Sequence, residues 1–120
     1  MSIPKIFESE YRFCLILWRE EPVSCARLAE ISKEELGWAR TTTYTVIKRL
    51  EERGFIKKEK KSICTTLFTK EEIQNDRVEE MVEKTFEGSL PSFVAAFSKK
   101  RKLSEKEIDS LKKLIADNED

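Results

Sequence analysis

The chain contains no histidine. Its absence removes the commonest general base and the usual partner of a serine or cysteine nucleophile. Cysteine is scarce too: Cys14, Cys25 and Cys64 are widely spaced, form no C-x-x-C pair, and have no imidazole to complete a zinc set. They read as reduced, buried, small apolar residues, and no metal site is expected. With only three glycines and three prolines, the chain offers no glycine-rich phosphate loop. No apolar run approaches the roughly 20 residues of a membrane span, and the opening MSIPKIFESEYR lacks the basic-then-apolar order of a secretory signal. The acidic pairs fall at helix-surface spacings among lysines and read as solvated faces. The expectation is a cytoplasmic, soluble chain with no enzymatic activity, no cofactor and no small-molecule substrate.

What remains is a helix-forming, highly charged composition, 39% hydrophobic and 38% charged over 120 residues. That is too apolar for disorder and fits one or two small domains. The formal net charge is zero, but its distribution is uneven. Residues 1–70 carry 14 basic and 10 acidic side chains, whereas residues 71–120 carry 9 and 13. Within residues 40–61 the count is 8 against 3. A positive module precedes a negative one, and only the first suits an anionic partner.

Local patterns divide the chain further. Ser9 is a plausible N-cap for a first helix through EYRFCLILWREE, apolar nearly all round and ended by Pro22. Ser24 opens a second helix, CARLAEISKEEL, with Leu28 and Ile31 inward and Gly37 as its stop. A third helix spans about 39 to 53. The run TTTYTV opposes helix by propensity, but Val46, Ile47 and Leu50 give an inward stripe, and Arg53-Gly54 makes a basic last turn with a C-cap glycine. The threonines of the early turns are expected to point outward. Next, FIKKEKKSICTTLF reads as a β-hairpin.

Three helices and a small hairpin in that order make a winged helix-turn-helix. The expected fold is mainly α, with this winged-helix domain over residues 1–70 and a helical dimerisation domain over residues 71–120. In the second part, Thr69 and Glu72 form one capping box and Ser104 and Glu107 another. Narrow apolar stripes involving Ile73, Met81, Val82 and Phe86, then Phe93 and Phe97, then Ile108, Leu111, Leu114 and Ile115 cannot close a core alone, and invite a second copy of the chain.

A helix presenting Arg40, Thr41, Thr42, Tyr44, Thr45, Lys48 and Arg49 has the surface a major groove admits. Threonine hydroxyls can meet base edges and their methyls suit thymine; Arg40 can read guanine or hold a phosphate. Lys57, Lys58, Lys60 and Lys61 sit where a wing would neutralise the duplex backbone. The expected partner is double-stranded operator DNA. The alternatives are a winged-helix module that binds protein through Tyr44 and the threonines, a repressor that answers a different, unidentified signal, and a thiol redox sensor using the three cysteines.

The chain resembles the penicillinase and methicillin-resistance repressors, the BlaI/MecI group with its copper-responsive CopY relatives, from about Ile6 to Ile115. The resemblance rests on Glu10 and Tyr11 through Leu17 and Trp18, on Trp38, Thr42, Thr45, Arg49, Leu50, Arg53 and Gly54, and on FEGSLPSFVAAF followed by LSEKEIDSLKKLI. It implies a homodimer on an inverted-repeat operator that represses β-lactamase or resistance genes. It also implies release by a membrane sensor metalloprotease pathway through cleavage near Phe97. Thr42 and Thr45 match base-touching threonines, Thr41 and Tyr44 match groove-facing neighbours, and Arg49 matches an arginine near phosphates. Five positions depart from the pattern: Tyr11 replaces a tryptophan, Ala39 a capping serine, Thr43 an aliphatic core residue, Tyr44 a common Lys or Arg, and Ala96 the Asn of an Asn-Phe cleavage bond. The copper branch's terminal cysteine motif has no counterpart in IADNED.

Overall fold

Proline and glycine place the breaks, and apolar stripes orient what lies between them. The computed structural model describes residues 3–60 and 62–119. Helix α1, Glu8–Glu20, begins one residue ahead of Ser9. The sequence expectation of a Ser9 cap fails: Phe7 holds the cap position without a side-chain cap, and the Glu10 Oε1 accepts the Phe7 N–H at 2.9 Å, the glutamate half of a capping box. Phe13, Cys14, Ile16 and Leu17 are buried, whereas Leu15 is partly exposed. The helix is therefore less completely enclosed than its composition suggests.

After Pro22 comes a strand that the sequence reading lacks: β1, Val23–Ser24. Two residues are too short to show a period. Helix α2, Cys25–Leu36, is capped by Ser24, whose side chain accepts the Arg27 N–H at 3.1 Å. It stops at Gly37, whose φ of 71° is a left-handed conformation that favours glycine. Trp38 then folds back, its N–H donating to the Ser32 carbonyl and its ring stacking on Phe13 at 5.7 Å between centroids. Helix α3, Arg40–Glu52, packs on this corner through Thr43, Ile47 and Leu50.

Strands β2, Ile56–Glu59, and β3, Ile63–Thr66, form the expected hairpin. The sheet has three strands rather than two, in the antiparallel order β1-β3-β2, with Val23 opposite Cys64 and Lys58 opposite Cys64 on the other side. Two long-range contacts fix it to α1. Glu21 accepts the Thr66 N–H at 2.8 Å, and the Trp18 indole N–H donates to the Phe68 carbonyl at 2.9 Å. The core gathers Phe13, Leu17, Leu28, Ile47, Leu50 and Phe55.

Helix α4, Lys70–Phe86, carries the expected capping box, with Thr69 and Glu72 each accepting the other's backbone N–H at 3.1 Å. Helices α5, Leu90–Lys100, and α6, Glu105–Asp117, are capped by Ser89 and Ser104. The chain divides into two compact units, one running to Arg77 and the other starting at Val78. The first unit extends past residue 70, and Ile73, on the first turn of α4, is fully buried in its core. In the second unit neither α5 nor α6 has a buried residue.

Candidate nucleic-acid interface

Helical geometry sorts the threonine run of α3. At about 100° per residue, Thr43, Ile47 and Leu50 share the buried face, and Arg40, Thr41, Thr42, Tyr44, Thr45, Lys48 and Arg49 are all exposed. Thr43 is thus the exception to the outward threonines expected from the sequence. It is fully buried, and its hydroxyl finds no hydrogen-bond partner among the described residues. The core packing of Ile47 and Leu50 holds the helix despite this and despite Ala39, which provides no side-chain cap.

The exposed face is preorganised at both ends. Arg40 donates from Nη2 to the Tyr44 hydroxyl at 3.2 Å, with its guanidinium 5.4 Å from the Tyr44 ring centroid. That pairing leaves the other guanidinium donors open. Thr45 spends its hydroxyl proton on the Thr41 carbonyl at 2.9 Å, so towards solvent it presents lone pairs and a methyl group. The hydroxyls of Thr41 and Thr42 make no internal hydrogen bond, and Lys48 and Arg49 no ion pair, among the described residues. At the far end, Arg53 ties α3 down. It donates to the Lys5 carbonyl at 2.7 Å, pairs with the Glu10 carboxylate, and lies 5.6 Å from the centroid of the Phe7 ring. In sequence Arg53 is legible only as part of a basic last turn, because the Glu10 partner lies 43 positions away.

The wing lysines do not act as a single cluster. Lys57 bonds Glu59 at 2.8 Å along β2, whereas Lys58, on the opposite face of the strand, reaches Glu51 of α3 at 3.2 Å. Hydrogen bonding to those carboxylates raises the pKa of both lysines and lowers that of Glu59. Lys60 is exposed at the hairpin turn with a φ of 44°. Lys61 lies outside the described residues. A duplex would therefore displace two internal carboxylates to engage Lys57 and Lys58 fully.

In the second unit, Met81, Phe97, Ile108, Leu111, Leu114 and Ile115 are exposed in the single chain. Val82 is buried, and Phe86 and Phe93 pack ring on edge at 5.7 Å. The spacing of Ile73 places it with these residues in sequence. Its burial in the first unit's core leaves it no surface to offer a partner. An apolar cavity of about 460 Å³ lies between α5 and α6, lined by Phe93, Val94, Phe97, Leu103 and Leu111 among others.

Among the described residues no helix is long and apolar enough to cross a membrane, and no group of three His, Cys, Asp or Glu could hold a metal. Three helices, a three-stranded sheet completed by β1, and an exposed α3 bearing hydroxyls and cations define a winged helix-turn-helix protein, a transcription regulator by class. The sequence model of the penicillinase repressor family matches residues 6–117, and the chain belongs to that family. Its members are DNA-binding repressors of transcription rather than enzymes. The chain is 26% identical over 114 residues to the methicillin resistance regulatory protein MecI of Staphylococcus aureus strain Mu50, covering 92% of this chain and 93% of that one. The proteins of the same name from Mammaliicoccus sciuri and Staphylococcus epidermidis are 25% identical with the same coverage.

Proposed function

We propose that the protein is a homodimeric repressor that occupies an inverted-repeat operator in double-stranded DNA, placing one α3 in the major groove of each half-site. The carrying observation is the exposed face of α3, where every groove-facing candidate from Arg40 to Arg49 is accessible while Thr43, Ile47 and Leu50 hold the helix from behind. Thr41, Thr42, Tyr44 and Thr45 read base edges and methyl groups, with Arg40 held in place by Tyr44. Lys48, Arg49, Lys57, Lys58, Lys60 and Lys61 serve the phosphates. Two copies meet through the second unit, where the exposed apolar side chains of α4, α5 and α6 have no core of their own to enter. Met81, Phe86, Phe93, Phe97, Ile108, Leu111, Leu114 and Ile115 form that contact, and Val82, already buried within the chain, supports it from inside. Occupancy of the promoter is the whole mechanism. Release follows cleavage at Ala96-Phe97 by a sensor-linked protease, a bond inside α5 that must unwind to fit an active site.

Affinity measured against salt on a specific and a random duplex tests this. If half of the dimer's twelve candidate cations, about six, contact phosphates at once, affinity falls on the order of 10³ between roughly 50 and 200 mM salt. Thr42→Ala weakens specific binding by roughly 1 to 3 kcal/mol and leaves nonspecific binding nearly intact. A shallow slope, or equal loss on both duplexes, refutes the assignment. Reversing Lys57, Lys58, Lys60 and Lys61 to Glu abolishes duplex association. A module that binds protein instead would keep its partner through that change.

A further inference from the structure

The first unit holds a buried thiol pair that DNA binding does not use. Cys25 is the first residue of α2 and Cys64 the second of β3, and their sulfurs lie 3.4 Å apart. The backbone enforces this approach. β1 ends immediately before Cys25 and pairs with β3 at Cys64 and Ile63, and the Cys25 N–H donates to the Ser62 carbonyl at 2.9 Å. A disulfide needs the sulfurs to close to about 2.0 Å, a movement of side chains more than of strands.

We infer that Cys25 and Cys64 form an oxidisable dithiol site, which a two-electron oxidant of the peroxide class converts to an intrachain disulfide tying the start of α2 to the wing strand β3. Both cysteines are buried, so the oxidant reaches the pair through local opening, with Cys25, at the first turn of α2, as the sulfur that meets it. Its sulfur attacks one peroxide oxygen, the O–O bond breaks, and one water leaves, giving a sulfenic acid. The Cys64 sulfur then attacks the Cys25 sulfur, the S–O bond breaks, and a second water carries off the remaining thiol proton. The two electrons taken from the sulfur pair are those that reduce the peroxide. Burial and the hydrogen bond with Cys25 push the Cys64 thiol up to about 12, which suits a slow resolving partner reached through local opening. Cys14, on α1, is also buried and its thiol is pushed up to about 12, mainly by burial. It serves as an internal control.

The cross-link encloses α2, α3 and β2 in one covalent loop, so it restricts the unfolded chain. The site is defined whatever the exposed face of α3 binds, so it stands or falls independently of the proposed operator binding.

The test treats the folded full chain with hydrogen peroxide and maps thiols and disulfides by mass spectrometry under non-reducing conditions. The expected product is a single Cys25–Cys64 bond with Cys14 still alkylatable, reversed by dithiothreitol. It comes with a rise in melting temperature on the order of 10 °C. Cys64→Ser should stop the reaction at a Cys25 sulfenic acid that dimedone traps. If that variant does not fold, the map of the unsubstituted chain decides alone. Thiols that all stay reduced in the folded protein, a bond involving Cys14, bonds between chains, or over-oxidised Cys25 without a disulfide would each overturn the inference.

Discussion

Arg53 is where a single substitution should reveal how α3 is held. Its guanidinium pairs with Glu10, whose side chain is 7% exposed against 29% for Arg53. Glu10 also accepts the Phe7 N–H, and Arg53 also holds the Lys5 carbonyl. Arg53→Ala strands a buried carboxylate, a loss of about 3 to 5 kcal/mol where both partners are fully enclosed. Partial exposure of the arginine screens the pair and lowers the expected cost to about 2 to 3 kcal/mol. Glu10→Gln should cost less, because the amide oxygen still accepts the Phe7 N–H and the guanidinium that loses its carboxylate is 29% exposed and keeps the Lys5 carbonyl. In the double variant the two losses should fail to add, with a coupling of about 1 to 2 kcal/mol. Urea unfolding followed by circular dichroism measures this, read as a shift of midpoint at constant slope. A cost for Arg53→Ala under about 1 kcal/mol, or additive losses in the cycle, would refute the claim that this pair anchors the C-terminal end of α3.

Two further outcomes follow from groups that the fold leaves in unusual positions. Thr43→Val removes a buried hydroxyl that has no partner and keeps the side-chain shape, so the urea midpoint should rise by an amount equivalent to about 1 kcal/mol; a fall would mean the hydroxyl is satisfied. Glu107 is held below the ordinary carboxylate value of 4.5 by the Ser104 N–H and by Arg101. Its folded pKa is lower than its unfolded one, so its contribution is present above pH 4.5 and is lost as pH falls through the folded value. Glu107→Gln should flatten that part of the thermal-stability profile below pH 4.5, and an unchanged profile would contradict the assignment.

The six helices and the hairpin were legible in the sequence because each carries a signal within its own length. Caps at Ser24, Thr69 and Ser104, stops at Pro22 and Gly37, and an inward stripe at Ile47 and Leu50 are local features. What escaped depends on distant neighbours. β1 exists because β3 lies beside it. Ile73 belongs to the first unit's core because α4 starts against it, a fact its spacing with Met81 and Val82 conceals. The wing lysines look free in one dimension, but Glu51 is brought to Lys58 only by packing α3 on the hairpin. The Cys25–Cys64 approach likewise joins residues 39 positions apart. The exposed threonines were readable from the resemblance and from helical period. The inward turn of Thr43 follows from the same period once the register is fixed by Leu50.

Titrating isotope-labelled protein with a duplex spanning its own promoter, and following backbone amide shifts, decides whether α3 and the wing meet DNA as a pair of chains. Shifts should concentrate at residues 40–49 and in the β2–β3 turn and saturate at two chains per operator. Shifts confined to other surfaces, or saturation at one chain per duplex, would contradict this mode of binding.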